Sequence, residues 1–253
     1  MSIFDGIIYG LIQGLTEFLP VSSSGHLILF EKILGDEPNL LFNVLLHVGT
    51  LFAVFICYRK QLFEIIRHPF SKKTLKLVVA TIPTCALAVL FKFLLPDALE
   101  GAFLPLGFMV TAVVLFATVI IKPKQKEITF PKAAFCGFMQ GIAVLPAISR
   151  SGMTISSLLL TGADKDEATE FSFLLSVPII IASAVWEGIE LANSNVVFEA
   201  APTLIGMAAA FVSGLLAIKF MIKLIKNKSL LPFSIYTFLL SVTLLVLEIK
   251  GVW

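Results

Sequence analysis

The long apolar segments of this chain constrain its fold more than any other feature. A helix needs about 20 mostly apolar residues to cross the hydrocarbon core of a membrane. Windows of that length lie at residues 39–58, 75–95, 102–121, 171–190, 202–222 and 231–249. Hydrophobic residues make up 58% of the 253 positions and charged residues 14%, against about 25% charged in soluble domains. The sequence therefore predicts an all-α integral membrane protein with six spanning helices in one polytopic domain, residues 1–253.

Two further apolar stretches, residues 3–34 and 131–162, are interrupted near their middles. Each break combines a proline with a cluster of serines, at residues 20–25 and 146–152. Each half is too short to cross comfortably, and the backbone groups freed at such a break must be buried in protein or line a wet cavity. Both stretches are therefore predicted to be re-entrant helical hairpins that enter the membrane and return on the same side.

The positions of lysine and arginine predict the orientation of these segments. Basic residues concentrate in residues 59–76, 122–132, 163–170 and 219–230, whereas the opposite loops, 96–101 and 191–201, carry none. Cytoplasmic loops of membrane proteins carry an excess of lysine and arginine. The basic loops are therefore expected in the cytoplasm, with the first hairpin opening outward and the second toward the cytoplasm.

The two hairpins also resemble each other in sequence. With one gap on each side, Gln13 aligns with Gln140 and Pro20 with Pro146, and residues 42–49 align with 171–178. Each half, 1–125 and 126–253, then contains one hairpin and three crossings, so the second half is inverted relative to the first. Inverted repeats place broken helices near the membrane midplane, with half-helix N-termini facing an anionic ligand.

The first hairpin tip gathers polar groups that a membrane segment rarely contains. Gln13 and Glu17 lie four residues apart and share one helix face. A carboxylate in a membrane segment is a functional candidate by default, although a structural carboxylate capped by a serine is the alternative. The serines that follow, Ser22, Ser23 and Ser24, add hydroxyl donors at a helix N-terminus, which favours phosphate. His26 can act as an acid, base, nucleophile or metal ligand, or can simply be packed.

The second tip supplies a positive charge. Arg150 stands between Ser149 and Ser151, and Thr154 lies one turn into the following helix. The planar guanidinium fork suits phosphate oxygens, although Arg150 could instead pair with Glu17. Farther along each half, Asn43 and His47, and likewise Ser172 and Ser176, could line the same cavity, but helix–helix hydrogen bonding is the interpretation that we favour for them.

These two tips resemble a known family. QGLTEFLPVSSSGHL (13–27) matches the first motif of the undecaprenyl-diphosphate phosphatases of the bacitracin-resistance type, (E/Q)xxxE followed by PxSSxGH. LPAISRSGMT (145–154) matches their second motif, PGxSRSxxT, and EFSFLLSVP (170–178) is also similar. The resemblance runs through the whole chain. Two departures are Gln13, where an acid often stands, and Ala147, where glycine is common.

The resemblance implies removal of the terminal phosphate of undecaprenyl diphosphate on the outer face of the bacterial inner membrane. It implies a polyprenyl diphosphate substrate, surrounding membrane lipid, a divalent cation (Mg²⁺ or Ca²⁺) and no nucleic-acid partner, and it allows a homodimer. Carried over residue by residue, the family site maps to Gln13, Glu17, Ser23, His26, Ser149, Arg150 and Thr154.

From these residues we expect Glu17 and Gln13 to hold the metal ion and Arg150 to bind the diphosphate. Hydroxyl donors would come from Ser22, Ser24, Ser149, Ser151 and Thr154. Ser23, activated by His26 or Glu17, is the first candidate nucleophile, followed by His26 itself or a water molecule. A flippase or transporter of a phosphorylated polyprenyl lipid remains the alternative function, because inverted repeats are a transporter architecture.

Overall fold

The computed structural model describes residues 2–35, 40–99, 101–120, 125–192 and 199–251. These residues form helices and no strand, with one isolated β-bridge between Lys126 and Ala163. The helices are α1 (Ile3–Phe18), α2 (Ser23–Leu34), α3 (Leu40–Cys57), α4 (Arg59–Arg67), α5 (Lys72–Leu94), α6 (Pro96–Leu99), α7 (Leu104–Ile120), α8 (Phe130–Ile142), α9 (Arg150–Leu160), α10 (Lys165–Ala192), α11 (Ala200–Asn227) and α12 (Leu231–Ile249).

Four of the described helices, α5, α10, α11 and α12, are long and apolar enough to span a membrane. A fifth span is counted if α3 is taken together with α4, which bends away from it by 83°. Helix α7 is apolar but has only 17 residues. The described residues are thus all-helical with four or five candidate spans, which fits a multi-pass membrane protein, and each of the six predicted windows overlaps a helix.

Both apolar stretches break at the predicted places. Helix α1 ends at Phe18 and α2 begins at Ser23, while α8 ends at Ile142 and α9 begins at Arg150. Each break contains one non-glycine residue with a positive φ angle, Ser22 at 72° and Ala147 at 64°. Glycine takes this conformation more readily. This explains why the motif PGxSRSxxT, which this segment resembles, commonly has glycine where this chain has Ala147.

The two half-helices that follow the breaks start in the same way. The Ser22 hydroxyl accepts a hydrogen bond from the Gly25 N–H at 3.3 Å, and the Ser149 hydroxyl accepts one from the Gly152 N–H at 3.1 Å. Serine is a preferred N-cap because its side chain satisfies a free N–H of the first turn. One serine in each tip is therefore a helix cap.

Small residues let two pairs of helices approach closely. Helix α1 packs on α11, and α8 packs on α5. A Cβ added at Gly10 would lie 2.2 Å from the Gly206 carbonyl oxygen, and one added at Gly137 would lie 1.8 Å from the Ala80 carbonyl oxygen. Such close backbone contact is the usual way in which membrane helices associate.

A matching hydrogen bond crosses each of these helix pairs. The Ser213 hydroxyl of α11 donates to the Gly10 carbonyl at 3.3 Å, and the Thr84 hydroxyl of α5 donates to the Gly137 carbonyl at 2.8 Å. Both contacts lie one turn before the aligned glutamines of α1 and α8. The broken segment of each half is therefore held by a helix from the other half.

Candidate phosphate site at the junction of the two breaks

The two breaks meet inside the helical bundle. The Ser151 hydroxyl donates to the Leu19 carbonyl at 3.1 Å, which joins the second break to the end of α1. A Cβ added at Gly25 would lie 2.8 Å from the Ala147 Cα atom, so the start of α2 touches the second break directly. Residues more than 120 positions apart in sequence thus form one compact junction.

Glu17 is at the centre of this junction, with a side chain that is only 5% exposed. Its Oε1 atom accepts a hydrogen bond from Nη2 of Arg150. Its Oε2 atom accepts from the Ser23 hydroxyl at 2.5 Å and from the Gln13 side-chain amide at 3.0 Å. A buried carboxylate requires this kind of compensation by charge and hydrogen bonds. The structure therefore brings together the acid, the arginine and the serine predicted from the two motifs.

His47 of α3 also reaches this group. Its Nδ1 atom lies 3.5 Å from Glu17 Oε2 and 2.8 Å from Gln13 Nε2. The expected helix–helix hydrogen bond is present, since the contact joins α3 to α1, but its partners are the central site residues. The i, i+4 spacing to Asn43 was the signal that could have placed it there.

The hydroxyls of the second tip are bonded mainly to the protein. The Ser149 and Ser151 hydroxyls lie 3.4 Å apart, as the Ser22 and Ser24 hydroxyls lie 3.3 Å apart in the first tip. The Thr154 hydroxyl donates to the Arg150 carbonyl at 2.9 Å and lies 2.5 Å from the Ser172 hydroxyl. These groups hold the half-helix that carries Arg150, and their contact with a substrate stays a prediction.

His26 lies beside this network, and its two ring nitrogens contact groups other than Ser23. Its Nδ1 atom is 2.7 Å from the Ser22 carbonyl oxygen, and its Nε2 atom is 2.6 Å from the Tyr236 hydroxyl. The Ser23 hydroxyl donates to Glu17 instead. Of the two activators considered for Ser23, the geometry favours Glu17. Nothing in the sequence marks Tyr236 as a site residue, because it lies on an apolar helix near the other end of the chain.

Two buried polar atoms of the site lack a hydrogen-bond partner, Gln13 Oε1 and Arg150 Nη1. An unpaired buried donor or acceptor is costly, so both atoms are suited to contact a ligand. The amide oxygen matches a hard cation and the guanidinium nitrogen matches an anion. This pair of atoms has the polarity that a metal–diphosphate complex requires.

The described residues contain no cluster of three or more His, Cys, Asp or Glu side chains that could hold a metal ion alone. The oxygen donors of Glu17 and Gln13 still fit Mg²⁺ or Ca²⁺, provided that substrate oxygens and water supply the other ligands. Mg²⁺ is commonly bound in this way, by one or two carboxylates plus substrate phosphates.

Comparison with known proteins gives a consistent result. Residues 6–243 match the family model described as bacitracin resistance protein BacA. A protein of Carboxydothermus hydrogenoformans named undecaprenyl-diphosphatase is 41% identical over 99% of both chains. A protein of the same name from Christiangramia forsetii is 41% identical over 97% of this chain and 98% of its own. The Bacillus cereus protein named undecaprenyl-diphosphatase 4 is 38% identical over the full length of both.

Proposed function

The chain belongs to the BacA family of bacitracin resistance proteins, and we infer on that premise that it is an undecaprenyl-diphosphatase. It hydrolyses undecaprenyl diphosphate to undecaprenyl phosphate and inorganic phosphate. The observation that carries this function at the level of residues is the meeting of Glu17, Ser23 and Arg150 at the buried junction of two broken helices. These side chains come from both motifs and have the chemistry that phosphoryl transfer requires.

Arg150 is proposed to bind the terminal phosphate. Its Nη2 atom is held by Glu17 while its Nη1 atom is buried and free of partners. The ion pair thus orients the guanidinium and leaves one donor for a phosphate oxygen. The N-termini of α2 and α9, where Ser23 and Arg150 stand, add the positive end of the helix dipole.

Ser23 is proposed as the nucleophile. Its oxygen would attack the terminal phosphorus while its proton passes to Glu17 Oε2, 2.5 Å away. The bond between that phosphorus and the bridging oxygen would break, and undecaprenyl phosphate would leave. Water would then attack the phosphoserine, Glu17 would return its proton to the Ser23 oxygen, and inorganic phosphate would be released. The leaving group is a stable phosphate anion, so charge neutralisation and positioning dominate catalysis.

A divalent cation is proposed to bind together with the substrate, through Glu17 and the unpartnered Oε1 atom of Gln13. When bound, it would neutralise charge that develops on the diphosphate oxygens. Glu17 is shared between this site and Arg150, so the anionic diphosphate is expected to strengthen cation binding by offsetting the two adjacent positive charges.

The finer architecture belongs to the same proposal. We propose six crossings and two re-entrant hairpins in an inverted repeat, with the site opening to the outer face of the inner membrane. The paired contacts of α1 with α11 and of α8 with α5, each with its matching hydrogen bond, support the repeat. The aligned N-caps of Ser22 and Ser149 support it independently.

Purified protein in detergent should release inorganic phosphate from undecaprenyl diphosphate. A flippase, the alternative suggested by the repeat architecture, has no reason to do so. Ser23→Ala should abolish the release and should prevent a phosphate label from being trapped on the protein. Release by Ser23→Ala at the wild-type rate would refute the serine mechanism, and absence of release by the wild-type protein would refute the enzyme assignment.

A further inference from the structure

Tyr236 is a polar residue near the site that the reaction described so far does not use. It lies on α12, and its hydroxyl is 2.6 Å from Nε2 of His26, 210 positions earlier in the chain. The two rings are nearly parallel, with 13° between their planes and 5.7 Å between their centroids. His26 is 5% exposed, whereas Tyr236 is 45% exposed. The tyrosine therefore connects a buried imidazole to the outside of the bundle.

The partners of His26 determine where its proton lies. The Ser22 carbonyl can only accept a hydrogen bond, and Nδ1 of His26 lies 2.7 Å from it. Nδ1 therefore carries the proton in the neutral ring, and Nε2 presents its lone pair to the tyrosine hydroxyl. The Tyr236 O–H donates to Nε2, and its oxygen keeps lone pairs that can accept from a water molecule.

The phosphoserine step needs a base that Glu17 cannot provide. In the proposed reaction Glu17 already holds the proton that it took from Ser23, so it is a donor and not an acceptor when water attacks. The guanidinium of Arg150 donates hydrogen bonds and accepts none. Two imidazoles lie near the tip. His47 contacts Glu17 and Gln13 through Nδ1, whereas His26, three residues after Ser23 in α2, presents Nε2 to a hydroxyl that can pass on a proton.

We propose that Tyr236 relays a proton from the attacking water to Nε2 of His26 during hydrolysis of the phosphoserine. This inference rests on the proposed function and adds a second proton route to it. The water would donate to the Tyr236 oxygen while the Tyr236 proton moves to Nε2. The water oxygen bonds to phosphorus as the bond from phosphorus to the Ser23 oxygen breaks. Glu17 reprotonates Ser23, and the imidazolium later releases its proton to solvent.

The relay separates the two steps of the reaction. Formation of the phosphoserine uses Glu17 and Arg150, and only its breakdown uses Tyr236 and His26. Removing the tyrosine hydroxyl should therefore slow breakdown alone, so the phosphoenzyme should accumulate. A tyrosine that only packed against His26 would produce no such imbalance.

The test is pre-steady-state kinetics of Tyr236→Phe, which keeps the ring and removes the hydroxyl. A burst of about one undecaprenyl phosphate per enzyme should precede slow release of inorganic phosphate, with kcat lowered about 100-fold, as expected for loss of a positioned proton-transfer group. Radiolabel from the terminal phosphate should remain on Ser23. Tyr58→Phe, the same change in the distant hydrophobic core around α3 and α10, should show the wild-type burst and kcat.

A double variant distinguishes a relay from two independent effects. If water, tyrosine and histidine form one route, Tyr236→Phe combined with His26→Gln should be no slower than His26→Gln alone. Additive losses, or a slow Tyr236→Phe enzyme without trapped phosphate, would overturn the relay. Either result would leave the hydrolase assignment intact, because that depends on phosphate release by the wild-type protein.

Discussion

Glu17 connects the two halves of the site at the level of single atoms. One carboxylate oxygen accepts from the arginine of the second tip, and the other accepts from the serine of the first tip. From the sequence alone, Arg150 could either bind an anion or pair with Glu17. The structure shows the pair, and the unpartnered Nη1 atom shows that the pair still leaves a donor for an anion.

Arg150→Lys should lower kcat/KM about 100-fold. Lysine keeps the charge, but an ammonium group cannot contact Glu17 and a phosphate oxygen through two fixed nitrogens as the guanidinium fork does. Steady-state phosphate release measures the effect. Arg67→Lys, on the exposed end of α4, is the matched control and should retain wild-type activity. Turnover by Arg150→Lys within twofold of the wild type would contradict the proposed use of both nitrogens.

Gln13→Glu should strengthen binding of a divalent cation. The new carboxylate would lie where the Gln13 amide now donates to Glu17 at 3.0 Å, and two adjacent carboxylates repel unless a cation lies between them. We expect tighter Mg²⁺ or Ca²⁺ binding by calorimetry and a larger rise in melting temperature on adding the metal.

The matched control for this change is Gln61→Glu. Gln61 also donates to a glutamate, Glu170, at 3.1 Å, but it lies away from the proposed metal site. Its metal binding should equal that of the wild type. Equal metal affinity for Gln13→Glu and the wild-type protein would remove Gln13 and Glu17 from the proposed cation site.

Helix pairing decides how the broken segments are held. The glycines of α1 and α8 permit backbone contact with α11 and α5. Gly137 is the tightest of these positions, because a Cβ there would lie 1.8 Å from the Ala80 carbonyl oxygen. The substitution cannot be absorbed by rotation of a side chain, since the neighbouring atom belongs to the backbone.

Gly137→Ala should destabilise the protein by about 1–3 kcal/mol, the usual range for an overpacked interior. A thermal melt in detergent is the measurement. Gly188→Ala makes the same change in α10, where nothing lies within 4 Å of the added Cβ, and should not lower the melting temperature. An unchanged melting temperature for Gly137→Ala would show that α8 and α5 can move apart at no cost in stability.

The sequence predicted the helical windows and both breaks because the length of an apolar segment, a proline and a capping serine each determine the local backbone structure. It predicted the meeting of Glu17 with the second tip only through the repeat and the family resemblance. Contacts such as Gly10 with Gly206, or His26 with Tyr236, could not be read from it. The sequence of an apolar helix says little about which other helix it packs against. A single tyrosine on α12 is not part of any repeating sequence pattern that would mark it as a site residue.

At the scale of the whole molecule, three ion pairs bring the basic segments to one end. Lys73 pairs with Glu170 at 2.5 Å, Lys76 with Glu127 at 3.0 Å and Lys226 with Asp166 at 3.1 Å. Hydrogen bonding and the charge of Lys76 lower the pKa of the exposed Glu127 carboxyl. These pairs connect all four segments that the charge pattern assigned to the cytoplasm, so the predicted loops share one face of the protein.

The orientation of that face can be tested with single cysteines, after Cys57, Cys85 and Cys136 are replaced. Asp97 lies just beyond the end of α5 that is opposite to Lys72, and Lys228 follows α11 on the basic side. Both side chains are exposed. Because the basic face is expected inside, a membrane-impermeant thiol reagent added to intact cells should label Asp97→Cys and not Lys228→Cys.

Inside-out vesicles should give the reverse labelling, which controls for differences in thiol reactivity between the two positions. Labelling of Lys228→Cys in intact cells would place the basic face outside and would invert the proposed topology. The first break would then open to the cytoplasm, and undecaprenyl diphosphate would have to reach Glu17 and Arg150 from the inner leaflet. The orientation of the lysines therefore determines from which leaflet the enzyme takes its substrate.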